Sequence, residues 1–318
     1  MNQDKKPRIL AIVGCTGGGK TALAVELARR HGGEVISCDS MQIYKGMDIG
    51  TAKPTADEMR GVPHWMLDVA DPLDGVSYSC ADYVKDARRA AEDVLSRGRL
   101  PILCGGTGLY LDAFLRGGSF EETVVDTALR EELYEMAERQ GAPAVHDMLR
   151  EIDPESADAI HPNNVKRVVR AIEIFRTTGR KKSELDRESR QPESVYDAVV
   201  IGIRYQSREL LNRRIDLRVD AMLEAGLVEE TRRLRAADVF ERCATAAQAI
   251  GYKELFGYLD GVESLEEATE RLKIATHQYA KRQMTWFSAK PYVMWTDADE
   301  DGKQREFEDI VNNAEKLF

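Results

Sequence analysis

Eight residues near the start of the chain, GCTGGGKT at 14–21, have the composition and spacing of a phosphate-holding loop. Gly14, Gly19, Lys20 and Thr21 occupy the fixed places of Gly-x-x-x-x-Gly-Lys-Thr, with Cys15, Thr16, Gly17 and Gly18 filling the loop. In such a loop the backbone N–H groups of residues 16–21 point at phosphate oxygens, and the positive end of the next helix adds to them. Lys20 supplies a point charge, and Thr21 a hydroxyl for a Mg²⁺ ion bridging two phosphates. Two further groups belong with the loop. Asp39, in CDSMQIYKGMDIGTAKP (38–54), is a carboxylate at the end of a short apolar run, suited to a metal ion or a proton. Thr107, in GGTGLY (105–110), offers a hydroxyl where glycines allow close approach of the backbone to a ligand.

The elements that must position these residues can be read from periodicity. RILAIVG (8–14) reads as a buried strand entering the loop, and KTALAVELARRHG after it as an amphipathic helix. EVISCD (34–39), LPILCGG (100–106), VVIGIR (199–204) and YVMW (292–295) read as further strands separated by helical patterns. That order predicts an α/β fold with a mostly parallel sheet, helices on both faces, and ligands at the carboxyl ends of the strands. Asp39 and the Gly105–Thr107 turn are therefore expected to converge on the mouth of the phosphate loop. The stretch 117–190 has helical periodicity and no convincing strand, which predicts an inserted all-helical domain in a core made of 1–116 and 191–318. Two long helices are expected at about 207–237 and 264–288.

Composition narrows the setting. The 318 residues are 43% hydrophobic, enough for a large globular core. The N-terminus has no apolar run of signal-peptide length, and no stretch of membrane-spanning length occurs, so a cytoplasmic protein without membrane contact is expected. Five cysteines (Cys15, Cys38, Cys80, Cys104 and Cys243) show no metal or redox spacing, and a reducing compartment is expected. The net charge of −10 excludes a uniformly basic nucleic-acid binder, yet the charge is segregated. Residues 161–190 carry +5, 204–218 carry +3 and 273–290 carry +4, whereas 120–160 carry −9. Basic faces on an acidic protein can bind a polyanion locally.

Five segments together resemble the tRNA dimethylallyltransferase (IPP transferase) family: GCTGGGKT, CDSMQIYKGMDIGTAKP, GGTGLY, IHPNNVKRVVRAIE and AKRQMTWF. They occur in the family's order along nearly the whole chain, and DSMQIY followed by GTAKP is far more specific than the phosphate loop. The resemblance implies a phosphate-loop (P-loop NTPase-like) core with a helical insertion. It also implies transfer of a dimethylallyl group from dimethylallyl diphosphate to the exocyclic amine of the adenosine just 3′ of the tRNA anticodon. On this reading the loop holds a diphosphate that leaves whole, with Mg²⁺. Thr107 donates to the bridging oxygen, Arg218 adds a fixed charge, Arg214 is a weaker candidate one turn away, and Asp39 takes the proton from the amine. The target base must leave its stack to react.

The resemblance also implies contacts with the tRNA anticodon stem-loop. They fall at Asp39, Ser40, Met41 and Gln42, and again at Thr107 and Arg130. A third group is Lys166, Arg167, Val168, Val169 and Arg170 in the basic insertion. The rest are Gln248, Ala249, Ile250, Gly251, Tyr252 and Lys253, then Lys281, Arg282, Gln283 and Trp286, where charge and an aromatic combine. Family members commonly carry Pro and Ala-Ser inside the loop, so Cys15-Thr16-Gly17-Gly18 is a departure that places a candidate oxidisable thiol beside a helix N-terminus. Eukaryotic relatives extend into a zinc finger; this sequence has no matching Cys and His spacing, and no zinc is expected. Three rival readings share the loop: a small-molecule kinase, a prenyltransferase acting on free adenine nucleotides, and an RNA-binding protein without catalysis.

Overall fold

The computed structural model describes residues 6–75, 78–116, 126–189 and 194–318. The limits expected for the insertion, Gly117 and Arg190, fall outside those residues. The chain divides into two compact units, Met1–Leu115 with Val195–Phe318, and Arg116–Ser194.

The larger unit is built on six parallel strands: β1 (Arg8–Gly14), β2 (Gly33–Ser37), β3 (His64–Trp65), β4 (Leu100–Gly105), β5 (Asp197–Arg204) and β6 (Val293–Asp297), in the spatial order β3-β2-β4-β1-β5-β6. β1 is central and apolar on both faces, as a strand covered from both sides must be. Its alternation sorts the core. Ile9, Ala11 and Val13 pack into one cluster, and Leu10 and Ile12 into the other. The first cluster is closed by α3 (Cys80–Ser96) and α4 (Gly108–Leu115), the second by α1 (Lys20–His31) and the C-terminal α15 (Phe307–Glu315).

A third cluster is helical. Ile43, Tyr44 and Met47 pack against α10 (Arg208–Glu224), α11 (Leu227–Ala236), the single turns α12 (Val239–Arg242) and α13 (Phe256–Leu259), and the 24-residue α14 (Leu265–Ser288). The one-turn α2 (Ala56–Met59) follows the GTAKP segment, and a small hairpin, β7 (Asp299–Glu300) and β8 (Lys303–Gln304), follows β6.

All five expected strands form. The sixth, β3, escapes a periodicity reading because it has two residues. It is held by Trp65, whose indole N–H donates to the buried Glu34 carboxylate at 2.8 Å. The helix expected at 207–237 is two helices. Gly226, at φ 101°, lies in the left-handed region between α10 and α11, which breaks the run.

The smaller unit is helical in all its described elements: α5 (Thr127–Gln140), α6 (Ala142–Ile152), α7 (Pro154–Ala159), α8 (Val165–Thr178) and α9 (Lys182–Ser189). Its core is Leu133, Val145, Leu149, Val168, Val169 and Ile172 with their neighbours. No described helix of either unit is long and apolar enough to cross a membrane.

Candidate active site

The phosphate loop joins β1 to α1 at the carboxyl edge of the sheet. Gly14 is required there, because a Cβ would sit 2.6 Å from the Ile203 carbonyl oxygen while φ is 140°. Four contacts shape the loop. Gly18 N–H donates to Cys15 O at 3.2 Å, and Lys20 Nζ to the same oxygen at 2.7 Å. Arg214 Nε donates to Gly17 O at 3.0 Å. Thr16 N–H donates to the side-chain oxygen of Gln283 at 2.8 Å. The expectation that every N–H from 16 to 21 aims at phosphate is thereby corrected, since those of Thr16 and Gly18 are engaged within the protein. Arg214, expected on the diphosphate, is bonded to the loop through Gly17 O, with its guanidinium also on Gln304 and over the Tyr205 ring.

Cys15 is fully buried and packs with Ile215 and Ala280. Burial raises its thiol above the ordinary value, and the opposing effect of Lys20 does not overcome this. The expected oxidisable thiol is therefore a buried, protonated one.

β2 and β4 are neighbours, so the segments leaving their carboxyl ends run side by side. Cys38 N–H donates to Cys104 O, and Thr107 N–H to Cys38 O, at 2.8 and 3.2 Å. Only glycine fits at 105, where any Cβ would collide with the Cys38 carbonyl. The Thr107 hydroxyl accepts from Ser40 N–H at 3.0 Å and faces Ser40 Oγ at 3.4 Å. One Asp39 oxygen accepts from Met41 N–H at 2.9 Å, which sets the carboxylate's direction.

Lys20 and Arg218 share the electrostatic field of this corner. Burial holds the Lys20 ammonium below the usual lysine value; Arg218 adds to that and the Asp39 carboxylate opposes it. Arg218 is likewise lowered by burial, with Asp39 and Glu58 supporting its charge. Two half-buried cations whose charge is costly in the ligand-free protein make a site for a polyanion.

The segment after Asp39 is clamped from outside the site. Gln42 accepts from the Ser37 hydroxyl and donates to the carbonyls of Thr51 and Ala52. Buried Glu230 takes the N–H groups of Asp48, Ile49 and Gly50 and the hydroxyl of Tyr252. Lys53 is bonded to Tyr44 O, Asp48 and Asp68. Gln42 thus ties backbone carbonyls together and Tyr252 steadies the Glu230 carboxylate that holds 48–50, which their sequence positions did not suggest. The pairing of Glu230 with 48–50 gave no sequence signal.

The remaining expected tRNA contacts separate by burial. Lys281, Arg282 and Trp286 line an open groove of about 650 Å³ on α14, with Gln278, Thr285, Ala289 and Lys290. Lys290 lies 4.9 Å from the Trp286 ring centroid and 2.6 Å from Asp112. Gln248 and Lys253 are exposed and Ile250 is half-buried, whereas Ala249, Gly251 and Tyr252 are buried. In the helical unit Lys166 and Arg167 are exposed on α8, but Val168 and Val169 are core residues. Arg130 and Arg170 both bond the fully buried Glu173, whose carboxyl lies below its usual range because these hydrogen bonds outweigh the burial that would raise it. Side-chain contact with RNA is therefore excluded for Val168, Val169, Ala249 and Tyr252 as they stand.

A family model described as IPP transferase matches residues 42–290. The chain is 48% identical over 306 residues to the tRNA dimethylallyltransferase of Bacillus cytotoxicus, covering 96% of this chain and 95% of that one. It is 47% identical over 297 residues to the tRNA dimethylallyltransferase of Bacillus subtilis (strain 168), covering 93% and 92%. The crystal structure of the full-length tRNA isopentenylpyrophosphate transferase from Bacillus halodurans superposes with a TM-score of 0.71 at 44% identity, over 98% of this chain and 95% of that one. A eukaryotic dimethylallyltransferase whose structures show it acting on tRNA superposes with a TM-score of 0.77 at 33% identity, over 92% and 74%. With its phosphate loop, its Asp39–Thr107 corner and a match over most of its length, the chain belongs to the IPP transferase family.

Proposed function

We propose that this chain transfers the dimethylallyl group of dimethylallyl diphosphate to the exocyclic amine of the adenosine 3′-adjacent to the tRNA anticodon, releasing diphosphate. The observation that carries this reading is the corner itself. Two half-buried cations, a hydroxyl on a glycine-bounded turn and a carboxylate meet where a phosphate loop opens. A diphosphate leaving group needs the cations and the hydroxyl, and an amine nucleophile needs the carboxylate.

The bond between the allylic C1 and the bridging oxygen breaks, and its electron pair goes to the diphosphate. Lys20, Arg218 and the loop N–H groups other than those of Thr16 and Gly18 stabilise that charge, and Thr107 turns its hydroxyl proton from Ser40 to the bridging oxygen. The amine nitrogen forms the new bond to C1 and its proton passes to Asp39. Mg²⁺ fits the donors present. Thr21 offers a hard oxygen, and among the described residues no group of three or more His, Cys, Asp or Glu forms a cage, so the ion would be held mainly through the diphosphate. When bound it neutralises diphosphate charge. Lys281, Arg282 and Trp286 on α14, and Lys166 and Arg167 on α8, are the exposed groups suited to RNA phosphates and bases.

Incubation with dimethylallyl diphosphate, Mg²⁺ and unmodified tRNA, followed by nucleoside mass spectrometry, tests the reading. Prenylated adenosine at one position is expected. Prenylation of free adenine nucleotides with tRNA untouched, or phosphate transfer from ATP, would replace it with a rival.

A further inference from the structure

Gln283 follows Lys281 and Arg282 in the sequence, and its place in the motif puts it among the RNA contacts. The fold puts it elsewhere. Its side chain is 5% exposed and faces inward from α14, in phase with Ala280 and Phe287. It spans the two halves of the diphosphate corner. Oε1 accepts from Thr16 N–H at 2.8 Å, and Nε2 donates to Gly106 O at 3.1 Å. A donor on one side and an acceptor on the other leave the amide a single orientation. The backbone accommodates it, since a Cβ at Gly106 would collide with Nε2.

The same face of α14 continues the docking. One turn on, Trp286 covers Gly108, where a Cβ would strike the indole, and just past the end of α14 Lys290 pairs with Asp112. Residues 283, 286 and 290 thus meet 106, 108 and 112 in register. Thr107, proposed to donate to the leaving oxygen, lies inside that register, and Thr16 opens the loop proposed to hold the phosphates.

We propose that Gln283 is a positioning residue: its amide sets the distance between the phosphate loop and the Thr107 turn, and it does not contact RNA. The assignment rests on the reading that the loop takes a diphosphate. Without the amide, two buried backbone groups lose their partner and the two halves of the corner are no longer tied. A misplacement of about 1 Å at such a site can cost roughly a hundredfold in rate.

The test measures three quantities on Gln283→Ala and Gln283→Met: affinity for inorganic diphosphate with Mg²⁺, the split of prenyl transfer into kcat and KM, and tRNA affinity at several salt concentrations. Met keeps the length and volume of Gln without its hydrogen bonds, so it separates tethering from space-filling and preserves the fold if Ala does not. Both variants are expected to lose about tenfold in diphosphate affinity and about ten- to a hundredfold in kcat, with tRNA affinity and salt slope unchanged. Recovery of parental values by Met would overturn the inference, because packing would then suffice. So would weaker tRNA binding with diphosphate affinity intact, which is the behaviour of an RNA contact. A parent protein that binds no diphosphate would overturn the underlying reading as well.

Discussion

Asp39 is held by its hydrogen bond from Met41 N–H, and an asparagine oxygen can accept the same bond. Asp39→Asn should therefore preserve the segment's shape and tRNA binding while slowing single-turnover transfer by about 10²–10⁴-fold. A rate within about threefold of the parent would remove Asp39 from the base role. Thr107 allows a finer test because its hydroxyl also accepts from Ser40 N–H. Thr107→Ser should keep most activity, whereas Thr107→Ala should cost roughly 3 kcal/mol of transition-state stabilisation. The loss should appear in kcat more than in diphosphate affinity; a change in KM alone would make Thr107 a ground-state contact. Lys20 carries a pH signature. Its folded value is depressed by burial, so between that value and the unfolded lysine value the unfolded chain binds more protons. The protonated form of Lys20 therefore costs stability at neutral pH, and that cost fades as pH rises through that window. Lys20→Met should raise the melting temperature most near pH 7 and less toward about pH 10. Thermal unfolding without ligand checks it; a gap that widens with pH would contradict the depressed value.

At the scale of elements, the sheet edge depends on Glu34. This residue of β2 is 1% exposed and bonds the Trp65 indole of β3 and the Arg97 guanidinium that ends α3. Arg97 holds its carboxyl below the usual range. Its contribution is thus fully present above the unfolded carboxyl value and is lost as pH falls through the folded one. Glu34→Gln should cost about 1–2 kcal/mol at neutral pH, at or below the low end of the range for a charged hydrogen bond because Arg97 is exposed. Acid titrations of the variant should lack the part of the parent's decline that belongs to this carboxyl; superposable profiles would show that other groups set it.

For the whole molecule, the question is how a chain of net charge −10 binds a polyanion. On the proposed reading the segregated basic stretches supply the binding faces, and the +5 stretch at 161–190 is the place to test it. The change Lys166→Ala with Arg167→Ala should weaken tRNA binding and leave diphosphate binding intact. If both residues touch phosphate, the log–log salt slope should fall by roughly 1.5, at about 0.7–0.9 per contact. Binding titrations at several salt concentrations read this directly, and an unchanged slope with unchanged affinity would return the cluster to a solvated helix face. Arg130 and Arg170 are unsuited to the same test, because their loss would strand the buried Glu173.

What the sequence determined by itself was local. The phosphate loop is a contiguous run whose spacing carries its conformation, and the five longer strands are short apolar runs, those at the centre of the sheet buried on both sides. Charge segregation and the helical insertion were likewise legible from short windows. The tertiary structure decided which residues of a motif face a ligand and which hold the motif in place. Thr16 and Gln283 are 267 residues apart, Gly17 and Arg214 are 197 apart, and Gly50 and Glu230 are 180 apart. No periodicity links such pairs, because their contact arises only when the parallel sheet brings β1, β2 and β4 together and α10, α11 and α14 close over their ends. A glutamine beside two cations reads as part of their surface, and only the phase of the packed helix turns it inward.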